Sequence, residues 1–299
     1  QANALAGPHT ITVPAGTYTL TITGAGEDDS ATGDLDINES ITITGAGANV
    51  TTINGNSLDR VFDIDPYDLS PTVTIRNLTL TGGNVGTLNS GGGVLVNPSG
   101  CPVVTLTNMA ATGNTAWQGG GVANQGCGSL TITNSTISNN TSTNSGGGIY
   151  DAYSLTLINS TISGNSAGGD GGGILTSSSS TGSQLNNATV VNNSALGAGA
   201  GVYVIGFGSV ATLNNTIVAN NGTENCATGV QQQLGGTITS LGYNLDSANT
   251  CGFATVGDLI NTNPNLGPLT NNGGQTQTHA LLTSSPAINT ANSATCPAT

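Results

Sequence analysis

The 299 residues carry 46 Gly, 6% charged and 3% aromatic residues, yet 35% are hydrophobic. This is too apolar for a disordered polar tract and too poor in Leu, Lys and Glu for helices, which leaves an all-β protein rich in turns. Two Lys+Arg against 15 Asp+Glu give a formal charge of −13, which makes nucleic acid and anionic membranes poor partners. No apolar run is long enough for a transmembrane segment.

From the N-terminus, Thr10-Ile-Thr-Val13, Thr17-Tyr-Thr-Leu20, Ser40-Ile-Thr-Ile-Thr44, Thr51-Thr-Ile53, Val61-Phe-Asp-Ile64, Val73-Thr-Ile75 and Leu78-Thr-Leu80 alternate as short strands of irregular coils. The solenoid therefore begins near residue 10. Ten of the fifteen acids fall before residue 69. Among them Asp28, Asp29 and Asp34 form a weak Ca²⁺ candidate without the spacing of a known loop motif; a solvated acidic face is the preferred reading. Arg60 and Arg76, the two permanent cations, are each expected to pair with a neighbouring Asp.

The regular part follows. Gly triplets or their variants begin at Gly91, Gly119, Gly146, Gly171 and Gly199, separated by 28, 27, 25 and 28 residues. In phase with them run Asn108, Asn134, Asn159, Asn187 and Asn215, separated by 26, 25, 28 and 28. Two registers agreeing over five copies mark a quasi-one-dimensional repeat. The period suits three short strands and three turns per coil, a right-handed parallel β-helix. The Gly triplets suit turns with positive φ or close backbone approach. The five asparagines are expected to stack as an amide ladder along the axis. Asn134, Asn159 and Asn187 also match the N-glycosylation sequon, but recurrence at the coil period favours an internal ladder.

Cys101 and Cys127 lie 26 residues apart and Cys226 and Cys251 lie 25 apart, one coil in each case. Residues one coil apart sit within the Cα range of a disulfide, so two rung-to-rung bridges are expected, although four cysteines admit three pairings. Bridges imply an oxidising, extracellular or cell-surface location. Cys296 remains unpaired or intermolecular. His9 and His279 stand alone, and no close Cys-x-x-Cys spacing supports a metal centre. Residues 1–224 read as the β-helix, most regular over 91–221, and 225–299 as final coils with a C-terminal strap or cap of the same domain.

Thr10-Ile-Thr-Val-Pro-Ala-Gly-Thr-Tyr-Thr-Leu20, Thr32-Gly-Asp-Leu-Asp-Ile37, Leu58-Asp-Arg-Val-Phe62, the five coils, Ser240-Leu-Gly-Tyr-Asn-Leu245, and above all Leu266-Gly-Pro-Leu-Thr-Asn-Asn-Gly-Gly274 with Ser285-Pro-Ala-Ile288 carry a resemblance over nearly the whole chain. It resembles the bacterial choice-of-anchor Q domain proteins. That resemblance implies an exported surface protein with a right-handed β-helix, whose flanking family segments at Gln1 and beyond Cys296 have been processed away or lie outside this sequence.

No catalytic residues are expected. The chain has no Lys, and the coils from 91 to 221 hold only Asp151 and Asp170 as acids, the latter placed to cap a turn. The primary expectation is a non-enzymatic structural surface protein, an adhesin or stalk, or a filament subunit in which copies of the chain stack head to tail. The alternative is a carbohydrate-binding module or diverged polysaccharide lyase that stacks surface glycans on Trp117, Tyr150 or Tyr153. No cofactor other than the Ca²⁺ candidate is expected.

Overall fold

The computed structural model describes residues 8–26, 28–177, 182–206, 208–231 and 234–292. It is an all-β solenoid of about eight turns. Three sheets run the length of the molecule, each with nine strands among the described residues. In one central coil they are visited in order by Val103–Thr107, Ala110–Thr112 and Val122–Asn124. A fourth, four-stranded sheet, from Thr115–Gln118 to Ser194–Ala195, bridges the second and third in the central coils.

Stacking is in register, so one sequence position becomes a row along the axis. On the first sheet Ile43, Ile75, Leu106, Ile132, Leu157, Leu185 and Leu213 are consecutive partners and belong to one core. The alternate row, Thr42, Thr74, Thr105, Thr131 and Thr156, points outward. No coil buries its apolar side alone, and each becomes core only between neighbours.

Glycine is required where the chain enters the third sheet. Gly119 has φ 63°, and a Cβ on Gly120 would lie 2.5 Å from the Thr141 carbonyl oxygen of the next coil. A side chain there would push the coils apart, which accounts for the triplet at that point of the coil.

The two ends differ. The first coil has no coil above it among the described residues, and its inward Ile11 and Tyr18 are 41% and 40% exposed. At the other end Phe253 folds onto the core cluster beside Cys251, and Leu259 bridges to Leu245. The sequence predicts a tail that caps or straps the last coils. The chain does both, and the strap reaches much further. A hairpin of Leu266–Thr270 and Thr278–Leu281 runs back over the second sheet. His279 Nε2 lies 2.9 Å from Ser163 Oγ, Thr136 Oγ1 donates to the Gln277 carbonyl at 2.5 Å, and the tip encloses a cavity of about 380 Å³ with Ala48 and Thr79. The second sheet can accept this cover because its outward positions are small: Ala110 and Thr112, Thr136 and Ser138, Thr161 and Ser163.

Candidate functional site

The disulfides join Cys101 to Cys127 and Cys226 to Cys251, with Cα–Cα distances of 4.5 and 4.8 Å. Each staples one coil to the next. Cys296 lies outside the described residues.

The asparagines expected to form the ladder occupy a different role. Asn108, Asn134, Asn159, Asn187 and Asn215 all have φ between 49° and 54°, and each makes the one-residue left-handed turn from the first sheet to the second. That conformation turns the side chain to the rim, and Asn134 and Asn159 are exposed. Amides pair at two steps of this row, Asn108 to Asn77 at 3.3 Å and Asn215 to Asn187 at 3.0 Å. The continuous buried ladder runs instead through Asn114, Asn140, Asn165, Asn193, Asn221 and Asn225, each Nδ2 donating to the next Oδ1 at 2.9 to 3.1 Å. Each of the first five also donates from Nδ2 to a strand carbonyl, from Leu80, Ala111, Ile137, Ile162 and Val190 respectively.

The acids of the first coils assemble around Arg60. Asp36 and Asp63 are one-coil partners on the outward face of the third sheet, because Leu35 and Ile37, and Phe62 and Ile64, take the inward positions. The Arg60 Nη1 lies 2.6 Å from Asp63 Oδ2 and 3.2 Å from Asp34 Oδ2. Asn97, from the following coil, donates to Asp63 Oδ1 at 3.2 Å. The loop carrying Asp28 is tied down at Gly26, whose N–H donates to Asp59 Oδ2, and through Asn38 Nδ2, which donates to the Asp28 carbonyl.

Asp28, Asp29 and Asp34 therefore do not form one group. Asp29 accepts from the Tyr67 hydroxyl at 3.0 Å and Asp34 goes to Arg60, while Asp28 joins Asp36 and Asp63. Arg76 also departs from expectation. It points outward from the first sheet between rows of Thr, and its Nε donates to Thr44 Oγ1 at 2.9 Å. Asp170 accepts from the Ala198 N–H at 2.7 Å and so caps a turn of the next coil.

Burial dominates the electrostatics. It pushes Asp34 from its ordinary 3.8 up to about 8, against the opposing pull of Arg60, and Asp59, Asp36 and Asp63 push the same way. Asp63 is likewise raised by burial, with Arg60 and Asn97 opposing. A single guanidinium does not compensate this many carboxylates.

Beside the cluster opens a cleft of about 400 Å³. Its lining includes Asp28, Arg60 and Asp63 together with Trp117, Asn89 and Gln125. The indole is 37% exposed. Gln125 Nε2 is held by Ser90 Oγ at 2.9 Å and Gln118 Oε1 at 3.3 Å, which orients its amide. Carboxylates, amides and one aromatic face make the chemistry of hydroxyl recognition, with an apolar platform for a sugar ring. Tyr150 and Tyr153 do not line this cleft; Tyr150 continues the Asp36–Asp63–Leu95–Ala123 row further along the third sheet.

Asp151 lies elsewhere, wholly buried, receiving Asn124 Nδ2, the Tyr153 N–H, Thr176 Oγ1 and Ser183 Oγ. Burial raises its pKa against those four hydrogen bonds. It is a structural node inside the coil, closed off from substrate.

Residues 39–250 match the family model described as a right-handed β-helix region, and the chain belongs to that family. The family holds pectate-lyase-like enzymes and proteins without catalysis. No curated protein and no solved structure matches the chain.

Proposed function

We propose that this right-handed β-helix protein is a non-catalytic extracellular surface protein, an adhesin that binds glycans in the cleft between Asp63 and Trp117. The carrying observation is that cleft, the place where the chain's single Trp meets a set of carboxylate and amide groups. Two disulfides suit an oxidising compartment, and no helix is long and apolar enough to cross a membrane. The cleft has two carboxylates against one guanidinium, on a chain of net −13, so neutral or amino sugars suit it better than uronates. In this reading Asp63 is a fixed acceptor for a sugar hydroxyl, its orientation held by Arg60 and Asn97, rather than a nucleophile.

Head-to-tail filament growth receives less support. Continuing the β-helix through the last coil requires displacing Phe253 and Leu259 from the end they cover. The test is a glycan array followed by calorimetry on the best ligand. We expect Trp117→Ala to weaken binding by about 1 to 3 kcal/mol, the scale of one lost stacking and burial contact. Absence of any glycan binding, or binding unchanged in Trp117→Ala, overturns the adhesin reading. Release of shorter sugars from the bound glycan overturns its non-catalytic part.

A further inference from the structure

We propose that the cavity beneath the C-terminal hairpin is a second binding site, separate from the Trp117 cleft, and that it takes one uncharged N-acetylated sugar unit, acetamido group first. The site is made by a single departure from the repeat. On the outward face of the second sheet, successive coils place Thr52, Thr79, Ala110, Thr136, Thr161 and Thr189 in one row. Ala110 alone lacks the γ-atoms of its neighbours, and it lies in the floor of the cavity between Thr79 and Thr136.

The roof is held off this floor. Thr136 Oγ1 donates to the Gln277 carbonyl and Thr276 Oγ1 to the Asn134 carbonyl at 3.3 Å, which fixes the hairpin tip at the coil of Thr136. At the other end Gln275 reaches the turn at Gly47, three coils earlier, with its Oε1 3.4 Å from where a Cβ on Gly47 would stand. Ala48 and Asn49 of that turn close the side, and Thr79 Oγ1 fixes them by donating to the Ala48 carbonyl at 2.6 Å. The tip thus arches over the coils of Thr79 and Ala110 and encloses about 380 Å³. A hairpin that served only as cover would gain more by lying flat, since close packing is what burial rewards. The volume falls within the range of about 300 to 1,000 Å³ usual for small-ligand sites.

The lining sets the chemistry. No charged and no aromatic residue lines the cavity, on a chain with 15 acids, so it selects against ions and offers a ring no stacking face. It presents the side-chain amides of Asn49, Gln275 and Gln277, none of which is taken up by a hydrogen bond among the described residues, together with the methyls of Ala48 and Ala110. A side-chain amide carries a carbonyl acceptor beside N–H donors, the complement of another amide. An acetamido group brings that second amide and a methyl for the space left at Ala110. The hydroxyls of Thr112 and Ser138 and the Asn271 amide line the same cavity, within reach of the hydroxyls of a sugar ring.

Calorimetry on the full chain, with N-acetylglucosamine, glucosamine and glucose as probes, tests the assignment. We expect saturable binding of N-acetylglucosamine, and binding at least about tenfold weaker for glucosamine and glucose, which lack the acetyl group. Ala110→Thr restores the residue of the row and fills the floor, so it should abolish this binding while Tm holds or rises, Thr being the better strand residue. Asn49→Ala and Gln275→Ala remove exposed side chains, and each should weaken binding about fivefold with the fold intact, which keeps the test decisive if Ala110→Thr disturbs the coil. No saturable binding, equal binding of glucose, or binding that survives Ala110→Thr overturns the proposal. N-acetylglucosamine binding that is lost in Trp117→Ala and kept in Ala110→Thr puts the sugar in the cleft, which overturns this site and leaves the adhesin reading standing. Binding lost in Ala110→Thr, with every glycan of the array indifferent to Trp117→Ala, supports this site and sinks that reading.

Discussion

Replacing Asn140 by Ala tests whether the buried amide column, rather than the rim asparagines, holds the coils together. The Asn140 side chain makes four hydrogen bonds: Oδ1 accepts from Asn114 N–H and Asn114 Nδ2, both at 3.0 Å, and Nδ2 donates to Asn165 Oδ1 at 3.0 Å and the Ala111 carbonyl at 2.9 Å. Truncation orphans the Asn114 backbone N–H in a fully buried site. An orphaned buried donor costs about 1 to 3 kcal/mol and each further lost bond about 1, and Asn114 Nδ2 keeps the Leu80 carbonyl, so the whole should be about 3 to 5 kcal/mol. Asn134 is the matched control. It lies in the same coil but is exposed, and its contribution is chiefly tolerance of a φ of 51°; Asn134→Ala should cost about 1 kcal/mol and Asn134→Gly less. Urea unfolding followed by circular dichroism compares the three at equal m-value. An Asn140→Ala cost equal to or below that of Asn134→Ala would refute the assignment of the ladder. Asn140→Asp carries it further, since an ionised oxygen would face the Ala111 carbonyl and Asn165 Oδ1, so this variant should lose stability as pH rises through the new carboxyl's pKa.

Reducing the Cys101–Cys127 bridge, or replacing both of its cysteines, should cost about 2 to 4 kcal/mol, and a Tm indifferent to reductant contradicts the bridge. Between the ordinary 3.8 and the raised value of about 8, the folded chain holds a proton on Asp34 that the unfolded chain has released. Stability should therefore fall as pH rises from about 4 to about 8, and Asp34→Asn should flatten that slope; a slope unchanged in the variant contradicts the shift. His279→Ala removes contacts to both Ser163 and the Gly267 carbonyl, so amide exchange should quicken in the Leu266–Leu281 hairpin while the Val104 to Leu213 core keeps its protection. Asp151→Ala leaves the Tyr153 N–H without its acceptor and Asn124 Nδ2 with the Ser154 carbonyl alone, for a loss of about 2 to 4 kcal/mol by the same unfolding assay.

The coil was legible because its period acts on every row at once: Gly triplets, strands and cysteines all repeat near 26 residues, and a stacked fold is the one arrangement that uses a shared period. What periodicity does not carry is direction. Two asparagines recur in each coil, and both are in phase with the repeat. The discriminating signal is local. In Gly113-Asn114, Asn139-Asn140, Gly164-Asn165, Asn192-Asn193 and Asn220-Asn221, the first residue takes positive φ, from 55° to 68°, and aims the second inward. Asn108 and its equivalents are themselves the left-handed residue and so turn outward. The aspartate cluster was hidden for another reason. Asp36 and Asp63 are 27 residues apart, one coil, but the early coils lack the Gly triplets that mark register, so the pair did not stand out from a generally acidic segment. Trp117 reaches their cleft across a further two coils, a distance no local pattern encodes.

The distribution of cover over the solenoid bears on where function resides. Of the three long sheets, the second lies under the C-terminal hairpin and the first presents a plain row of Thr, which a β-sheet surface favours for its own sake. The third carries buried acids, the cleft and the indole together at its first coils. A protein whose only task was to extend or polymerise would need neutral, well-paired coils there, because every uncompensated buried carboxylate lowers its stability. The chain instead gathers ten of its fifteen acids before residue 69, in coils that lack both the Gly triplet and the long Asn ladder. Departures of this kind from local consistency are where a fold gives up stability for another task, and in the proposed function the flank of the first coils, rather than the solenoid's ends, is the recognition surface.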